Sequence, residues 1–373
     1  MADLLIQEKA RQGDRSALSP IPGAVPPKTK TAYLPTLDGW RAIAVALVLA
    51  CHAVGPSSTW RDASGALGVS IFFGISGYLI CTRLLEERLR SGRISLRKFY
   101  IRRAFRILPP AFAYLAFVAV LMLAGVIKVS YRELAASAFF FRNYTPGNWY
   151  TSHFWSLAVE EHFYFFFPAL LIVVGNQRTK WVALAISVAT AIWRYVDSHY
   201  GLLTTHLPEG VYSAARTDFR LDGLMLGCFA AIALHQRTPN VPRWIMTILA
   251  PASALILVAN MFHIVPVPEF LKATVIVVML VSTVLSPSAR LGRILELAPI
   301  RWIGRLSYSL YLWQQMFFVK YEPNQAEAFR LLQSPPYNLA MVFLVAALSY
   351  YFLERPMIKF GLRFGKSSVP GRA

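Results

Sequence analysis

Residues 37–53 read LDGWRAIAVALVLACHA, a stretch of helix length that is apolar except for Arg41 near one end and His52 near the other. Charged and titratable side chains are costly inside a bilayer, so a membrane helix that keeps them needs a reason. The two lie eleven residues apart. At 100° per residue that is three turns plus about 20°, which puts both side chains on one face, roughly 16 Å apart along the axis. They can be a snorkelling cation and a packed imidazole, or a functional pair on one stripe.

The rest of the chain has the same character. Of 373 residues, 56% are hydrophobic and 15% charged, and the mean hydropathy is +0.45. A soluble domain of this size could not hide so much apolar surface, so the composition is that of a polytopic membrane protein. The formal charge of +19 is explained by Lys and Arg in cytoplasmic loops, without invoking nucleic acid. Cys51, Cys81 and Cys228 each lie in or beside an apolar segment. They build neither a disulfide framework nor a metal site.

Windows of about 20 apolar residues predict an all-α bundle of about ten transmembrane helices, near 39–56, 66–82, 107–127, 154–174, 181–197, 217–235, 244–262, 270–286, 304–320 and 337–354. Most Lys and Arg fall on one set of alternate connections. The densest, RLLEERLRSGRISLRKFYIRRAFR at 83–106, belongs to that set, which predicts both termini in the cytoplasm. Residues 1–36, polar and rich in proline, read as a disordered cytoplasmic tail, 37–356 as the membrane domain, and 357–373 as a short basic cytoplasmic tail. LAASAFFF at 134–141 is too short to cross and predicts a surface-lying or re-entrant piece.

Four further polar features stand inside or beside these spans. Arg103 and Arg106 are neighbours on a helix surface and suit phosphate oxygens, although topology alone also demands a basic loop there. In HFWSLAVEEHFYFFFP, 153–168, Glu160 and Glu161 sit at a depth comparable with His52. One of them can orient and charge-stabilise an imidazole, or can simply face a helix dipole or headgroups. Adjacent residues diverge by about 100°, so only one of the two is expected to face the interior. In ARTDFRLDGLMLG, 215–227, Arg216 and Arg220 fall on one helical face and Asp218 and Asp222 on another. That is either an acceptor site or a structural ion-pair network. Ser76 and Tyr78, from SGY on the second span, offer hydrogen bonds to a reacting group, or the Ser-Gly pair lets two helices approach closely. Trp149, Tyr150 and Trp155 suit either a sugar ring or an interfacial aromatic belt. His153, His162, His199, His206 and His263 lie near outer ends, within reach of water, and are given no chemistry.

Taken in order, these stretches resemble the acyltransferase-3 family of integral membrane acyltransferases, which includes O-antigen and exopolysaccharide O-acetylases. The carriers are Leu37, Asp38, Gly39 and Arg41 leading to His52; FFGISGYLI at 72–80; the Arg103/Arg106 pair; WSLAVEEHFYFFFP with Trp155, Glu160, Phe163 and Tyr164; RLDGLMLG with Arg220 and Asp222; SYSLYLWQQ at 307–315; and LERP at 353–356. Some relatives have histidine where this chain has Gln314, which concentrates the base on His52. The sequence carries no counterpart of the hydrolase-like C-terminal domain of some relatives, so the membrane domain is expected to meet the acceptor itself.

The resemblance implies a multi-pass protein of the bacterial inner membrane that transfers an acyl group, most often acetyl, from cytoplasmic acyl-CoA to an outward-facing acceptor hydroxyl. The acceptor is a polysaccharide, a glycolipid or a small hydroxylated molecule. Acyl-CoA is a co-substrate, and no tightly bound cofactor or metal is expected. Arg41, Arg103 and Arg106 would take the nucleotide phosphates, and His52 would act as base with Glu160 orienting its ring. Ser76, Tyr78, Trp155, Arg220 and Asp222 would position substrate. Direct transfer and an acyl-histidine intermediate both fit. An exporter of a glycan or lipid is the alternative, although matching inverted halves with broken helices are not evident.

Overall fold

The computed structural model describes residues 33–54, 58–237, 241–319 and 327–365. The tail before residue 33 and the last eight residues lie outside that description. Fourteen α-helices make up the described part, and no strand occurs in it. They are α1 Pro35–Ala53, α2 Arg61–Ser91, α3 Leu96–Leu123, α4 Tyr131–Ala138, α5 Trp149–Ser152, α6 Phe154–Val174 and α7 Asn176–Tyr200. After them come α8 Leu221–Gln236, α9 Arg243–Met261, α10 Glu269–Leu285, α11 Arg290–Leu295, α12 Ala298–Phe317, α13 Tyr337–Leu348 and α14 Arg355–Gly365.

A helix occupies each of the ten expected places. Among the described residues six stretches are long and apolar enough to cross a membrane unaided: α1, α2, α3, the α5–α6 stretch Trp149–Val174, α9, and Tyr337–Phe364. Exposed apolar side chains such as Leu123, Phe165, Val173, Leu255 and Phe352 clothe the outside of the bundle, as a lipid-facing surface requires.

The expected boundaries move where polar helix formers extend an apolar core. α2 continues through RLLEERLRS, where Arg83 and Arg90 both reach Glu86, and stops at Gly92 with φ +69°. α3 starts eleven residues early, because the Ser95 hydroxyl accepts from the Lys98 amide at 3.4 Å and caps it. YIRRAFR is therefore helix rather than loop, and Arg103 and Arg106 are held rigidly. The chain before α8 departs the other way. Short 3₁₀ turns at Ser213–Ala215 and Thr217–Phe219 precede it, so the two faces expected for Arg216/Arg220 and Asp218/Asp222 on one regular helix do not form. α4, about 12 Å long, cannot cross a bilayer. Its capping box joins Ser130 and Glu133 at 3.1 and 3.2 Å.

At the centre α2 lies against α1 and α8, and α1 against α12; α7 and α10 pack on α8, and α14 packs on α3. The central contacts are backbone to backbone. A Cβ on Gly77 of α2 would strike the Leu224 carbonyl of α8, and one on Gly304 of α12 would strike the Asp38 carbonyl of α1. Small residues at crossing points allow this approach where lipid supplies no hydrophobic drive. Gly223 differs, since the nearest atom to its Cβ would be Phe73 Cβ at an ordinary 3.5 Å. Gly77→Val is therefore expected to destabilise the fold by about 1–3 kcal/mol or more, whereas Gly223→Ala should be tolerated. Thermal unfolding midpoints of the two variants in detergent check the contrast.

Candidate active site

Helices α1, α2, α3, α6 and α12 enclose a cavity. α1 contributes Arg41, α3 contributes Arg103 and Arg106, and α2 contributes Ser76 among apolar neighbours. α6 contributes Ser156, Glu160, Glu161 and Tyr164, and α12 Ser307, Tyr308 and Tyr311. Three arginines from two helices that are far apart in sequence thus face the same space.

Each charge has company, but of different kinds. Arg41 reaches Asp38, one turn back on α1, at 3.4 Å. The Arg103 guanidinium stacks over the Tyr164 ring at 3.5 Å, and its Nε is buried with no hydrogen-bond partner among the described residues. Glu354 is buried and acts electrostatically on Arg106 and Arg41. It accepts from the Ser309 hydroxyl at 2.9 Å. The chain around it, Ser349–Glu354, is π-helical between α13 and α14, and π turns commonly re-aim a side chain at functional sites.

Glu160 is the hub of the cavity's neutral groups. The Ser76 hydroxyl donates to Oε1 at 2.7 Å, and the Tyr164 hydroxyl lies 2.8 Å from Oε2 and 3.0 Å from Ser76 Oγ. Ser76 and Gly77 thus divide the two expectations for their motif: the serine faces the cavity and the glycine makes the helix contact. Both Glu160 and Glu161 line the cavity, contrary to the expectation that only one would. The cavity is wide enough to take in the 100° between adjacent residues on α6. Tyr78, by contrast, is buried in the apolar core and does not line the cavity.

His52 stands beyond the other end. Its Nδ1 is hydrogen-bonded to Gln314 Oε1 of α12, and its ring meets the Trp149 indole edge-on at 5.0 Å. Gln314 follows Tyr311 by three residues and so sits one turn further along α12 than the cavity lining. Glu160 does not orient His52, because its hydrogen bonds go to Ser76 and Tyr164. α1 packs on α12, and α12 supplies the partner. The next residue, Gln315, serves a second histidine: its Oε1 is 2.5 Å from His153 Nδ1, its Nε2 donates to Ser152 Oγ at 3.0 Å, and its backbone carbonyl accepts from Trp149 Nε1 at 2.9 Å. His153 is 2% exposed, which corrects the expectation that water reaches it, since Tyr114, Phe154 and Tyr311 box it in.

Trp155, Arg220 and Asp222 do not line this cavity, although Trp155 packs edge-on against its Phe73 at 6.2 Å. Asp222 is clamped by Arg194 at 2.5 Å, Arg220 is 3.6 Å from Glu269 and donates to the Ala214 carbonyl at 2.6 Å, and the Arg220 guanidinium lies 5.7 Å over Trp155. Arg216 pairs with Asp218 at 3.1 Å. These charges pair with one another and with Arg194 and Glu269. Arg220 also lines a separate cleft with Arg194 and Glu269.

The family model Acyl_transf_3, described as an acyltransferase domain, matches residues 34–354. The chain belongs to this family. It is 28% identical over 368 residues to the peptidoglycan O-acetyltransferase OatA of Listeria monocytogenes, covering 88% of this chain and 56% of that protein. A putative O-acetyltransferase of Staphylococcus aureus is 30% identical over 371 residues, covering 90% and 59%. The putative peptidoglycan O-acetyltransferase YrhL of Bacillus subtilis is 29% identical, covering 89% and 56%. The chain thus spans less than two thirds of the length of these relatives. No solved structure matches it. The protein is an acyltransferase-family membrane protein, and the exporter alternative gains nothing from these relatives.

Tyr164→Phe would leave Glu160 with one hydroxyl donor while keeping the ring under Arg103. The expected loss is about 1–2 kcal/mol of stability. Tyr164→Leu should cost more, because the cation–π platform goes as well. Unfolding midpoints of the two variants order the effects.

Proposed function

We propose that the chain is a membrane O-acetyltransferase, moving an acetyl group from acetyl-CoA to a hydroxyl of a cell-envelope polysaccharide or glycolipid. The observation that carries this reading is the placement of Arg41 and His52 at opposite ends of α1, with Arg103 and Arg106 joining Arg41 in one cavity. In this reading all ten long helices cross the bacterial inner membrane with both termini inside. The Arg41 end then faces the cytoplasm and the His52 end faces outward, as the distribution of Lys and Arg supports. The names of the relatives, two of them peptidoglycan O-acetyltransferases, favour a polysaccharide acceptor.

Guanidinium groups match phosphate oxygens bidentately, so Arg41, Arg103 and Arg106 take the nucleotide end of the donor. The pantetheine arm carries amide N–H groups that need acceptors in a largely apolar passage. Glu160, Glu161 and the hydroxyls of Ser76 and Tyr164 supply them. The thioester then passes the Phe72–Tyr311 ring pair, 6.2 Å between centroids, to reach His52. His52 Nδ1 is the ring nitrogen that Gln314 engages; with the ring proton there, Nε2 takes the acceptor's proton.

The direct test supplies membranes holding wild type or His52→Ala with acetyl-labelled acetyl-CoA and follows label into envelope glycans and lipids by mass spectrometry. Label in the wild-type sample alone is expected. Equal labelling by both would remove His52 from the mechanism, and none in either would remove acetyl-CoA as donor. Arg103→Ala and Arg106→Ala should each raise KM for acetyl-CoA about 10- to 100-fold, as loss of a charge-assisted contact predicts.

A further inference from the structure

Gln314 is one of several buried amides whose two ends have unequal partners, and the one among them that contacts His52. Its Oε1 meets His52 Nδ1. Its Nε2, equally buried, has no hydrogen-bond partner among the described residues. The side chain is 0% exposed. A buried amide nitrogen without an acceptor is unusual and calls for a ligand that brings one. The ligand in question must come within reach of His52 as well, since a single carboxamide spans both places.

We propose that Gln314 works at both ends in acyl transfer. Its oxygen holds His52 in the Nδ1–H tautomer, and its amide N–H groups receive the oxyanion formed from the thioester carbonyl. This rests on the acyltransferase reading above. As the acceptor oxygen bonds to the thioester carbon, His52 Nε2 takes the hydroxyl proton and the carbonyl π electrons move to oxygen. That oxyanion is held by the Gln314 amide. When the oxyanion collapses, the carbon–sulfur bond breaks, the imidazolium returns its proton to the departing sulfur, and the products are the O-acetyl acceptor and the CoA thiol. Donors fixed where negative charge develops act strongly in a site from which water is excluded. Glutamine suits both tasks at once, because it offers an acceptor and donors on one plane and carries no charge. A carboxylate in its place would be acceptor-only and could not supply both.

Two substitutions separate the ends. Gln314→Glu keeps an oxygen for Nδ1–H and loses the N–H donors, and Gln314→Met keeps the volume and loses both. Gln314→Glu is expected to lower kcat about 100-fold, the effect of losing one oxyanion donor, with KM for acetyl-CoA within about twofold of wild type. The added carboxylate should also stabilise the imidazolium and move the acidic limb of the kcat profile to higher pH. Arg61 and Asp62 of α2 and His153 ahead of α6 also act electrostatically on His52. They are the same in both proteins, so the shift reports position 314. Gln314→Met should lose more activity than Gln314→Glu. Wild-type kcat in either variant would overturn the proposal.

A readout that needs no turnover is the ¹⁵N NMR spectrum of wild-type protein labelled at its 7 histidines, with His52 assigned by its absence in a folded His52→Gln variant. The Nδ1–H tautomer is expected, and Nε2–H would overturn the positioning role. Wild-type protein that transfers no label from acetyl-CoA would instead refute the acyltransfer reading and the oxyanion role with it, while the NMR result would still decide the link between Gln314 and His52.

Discussion

Keeping ionised groups inside an apolar bundle is the constraint around which this protein is built. A guanidinium removed from water without compensation costs several kcal/mol, yet Arg41, Arg103 and Arg106 face one cavity. The compensation is distributed. An aromatic face lies under Arg103, Asp38 stands one turn from Arg41, and Glu354 is turned inward by a π segment to act on Arg106 and Arg41. None of these engages the arginines in close bidentate pairing. Arg194 and Asp222, at 2.5 Å, show what full neutralisation looks like in the same molecule. The two arrangements separate charges that hold the fold from charges left available.

The periodicity of a helix was enough to put Arg41 and His52 on one face, because rotation per residue is fixed by backbone hydrogen bonding and α1 is regular throughout. The apolar windows likewise located ten helices, since each is dominated by burial or by lipid. Pairing across helices was another matter. Nothing local distinguishes Gln314 from Glu160 as the partner of His52. That choice is made by α1 packing on α12, and α12 packs there because Gly304 admits the Asp38 carbonyl. The π turn before Pro356 was equally hidden, as its extra residue changes no composition and no apolar count. His153 looked accessible from its place at a helix start, and only the rings of Tyr114, Phe154 and Tyr311 exclude water from it.

The two consecutive glutamines on α12 show how a helix can serve two neighbours without any change of backbone. Being about 100° apart, Gln314 turns toward His52 and Gln315 toward His153 and Ser152, while the Gln315 backbone carbonyl accepts from the Trp149 indole. A histidine in place of Gln314 would keep a donor and an acceptor only while neutral, and would add a titratable group. The position that reads in the sequence as a missing histidine is, in the folded chain, the source of the side chain that meets His52.

The glycine contacts have a mechanical consequence. Where Gly77 meets Leu224, and Gly304 meets Asp38, two main chains touch with no side chain between them, so α1, α2, α8 and α12 can neither slide nor rotate without collision. α3 and α6 close the same cavity through side chains: Arg103 on Tyr164, Glu160 to Ser76, and the Tyr308 hydroxyl on the Ile107 carbonyl at 2.8 Å. Rotamers can change where backbones cannot. The cavity therefore has a wall fixed by backbone contact and one made of side-chain contacts on the α3–α6 side.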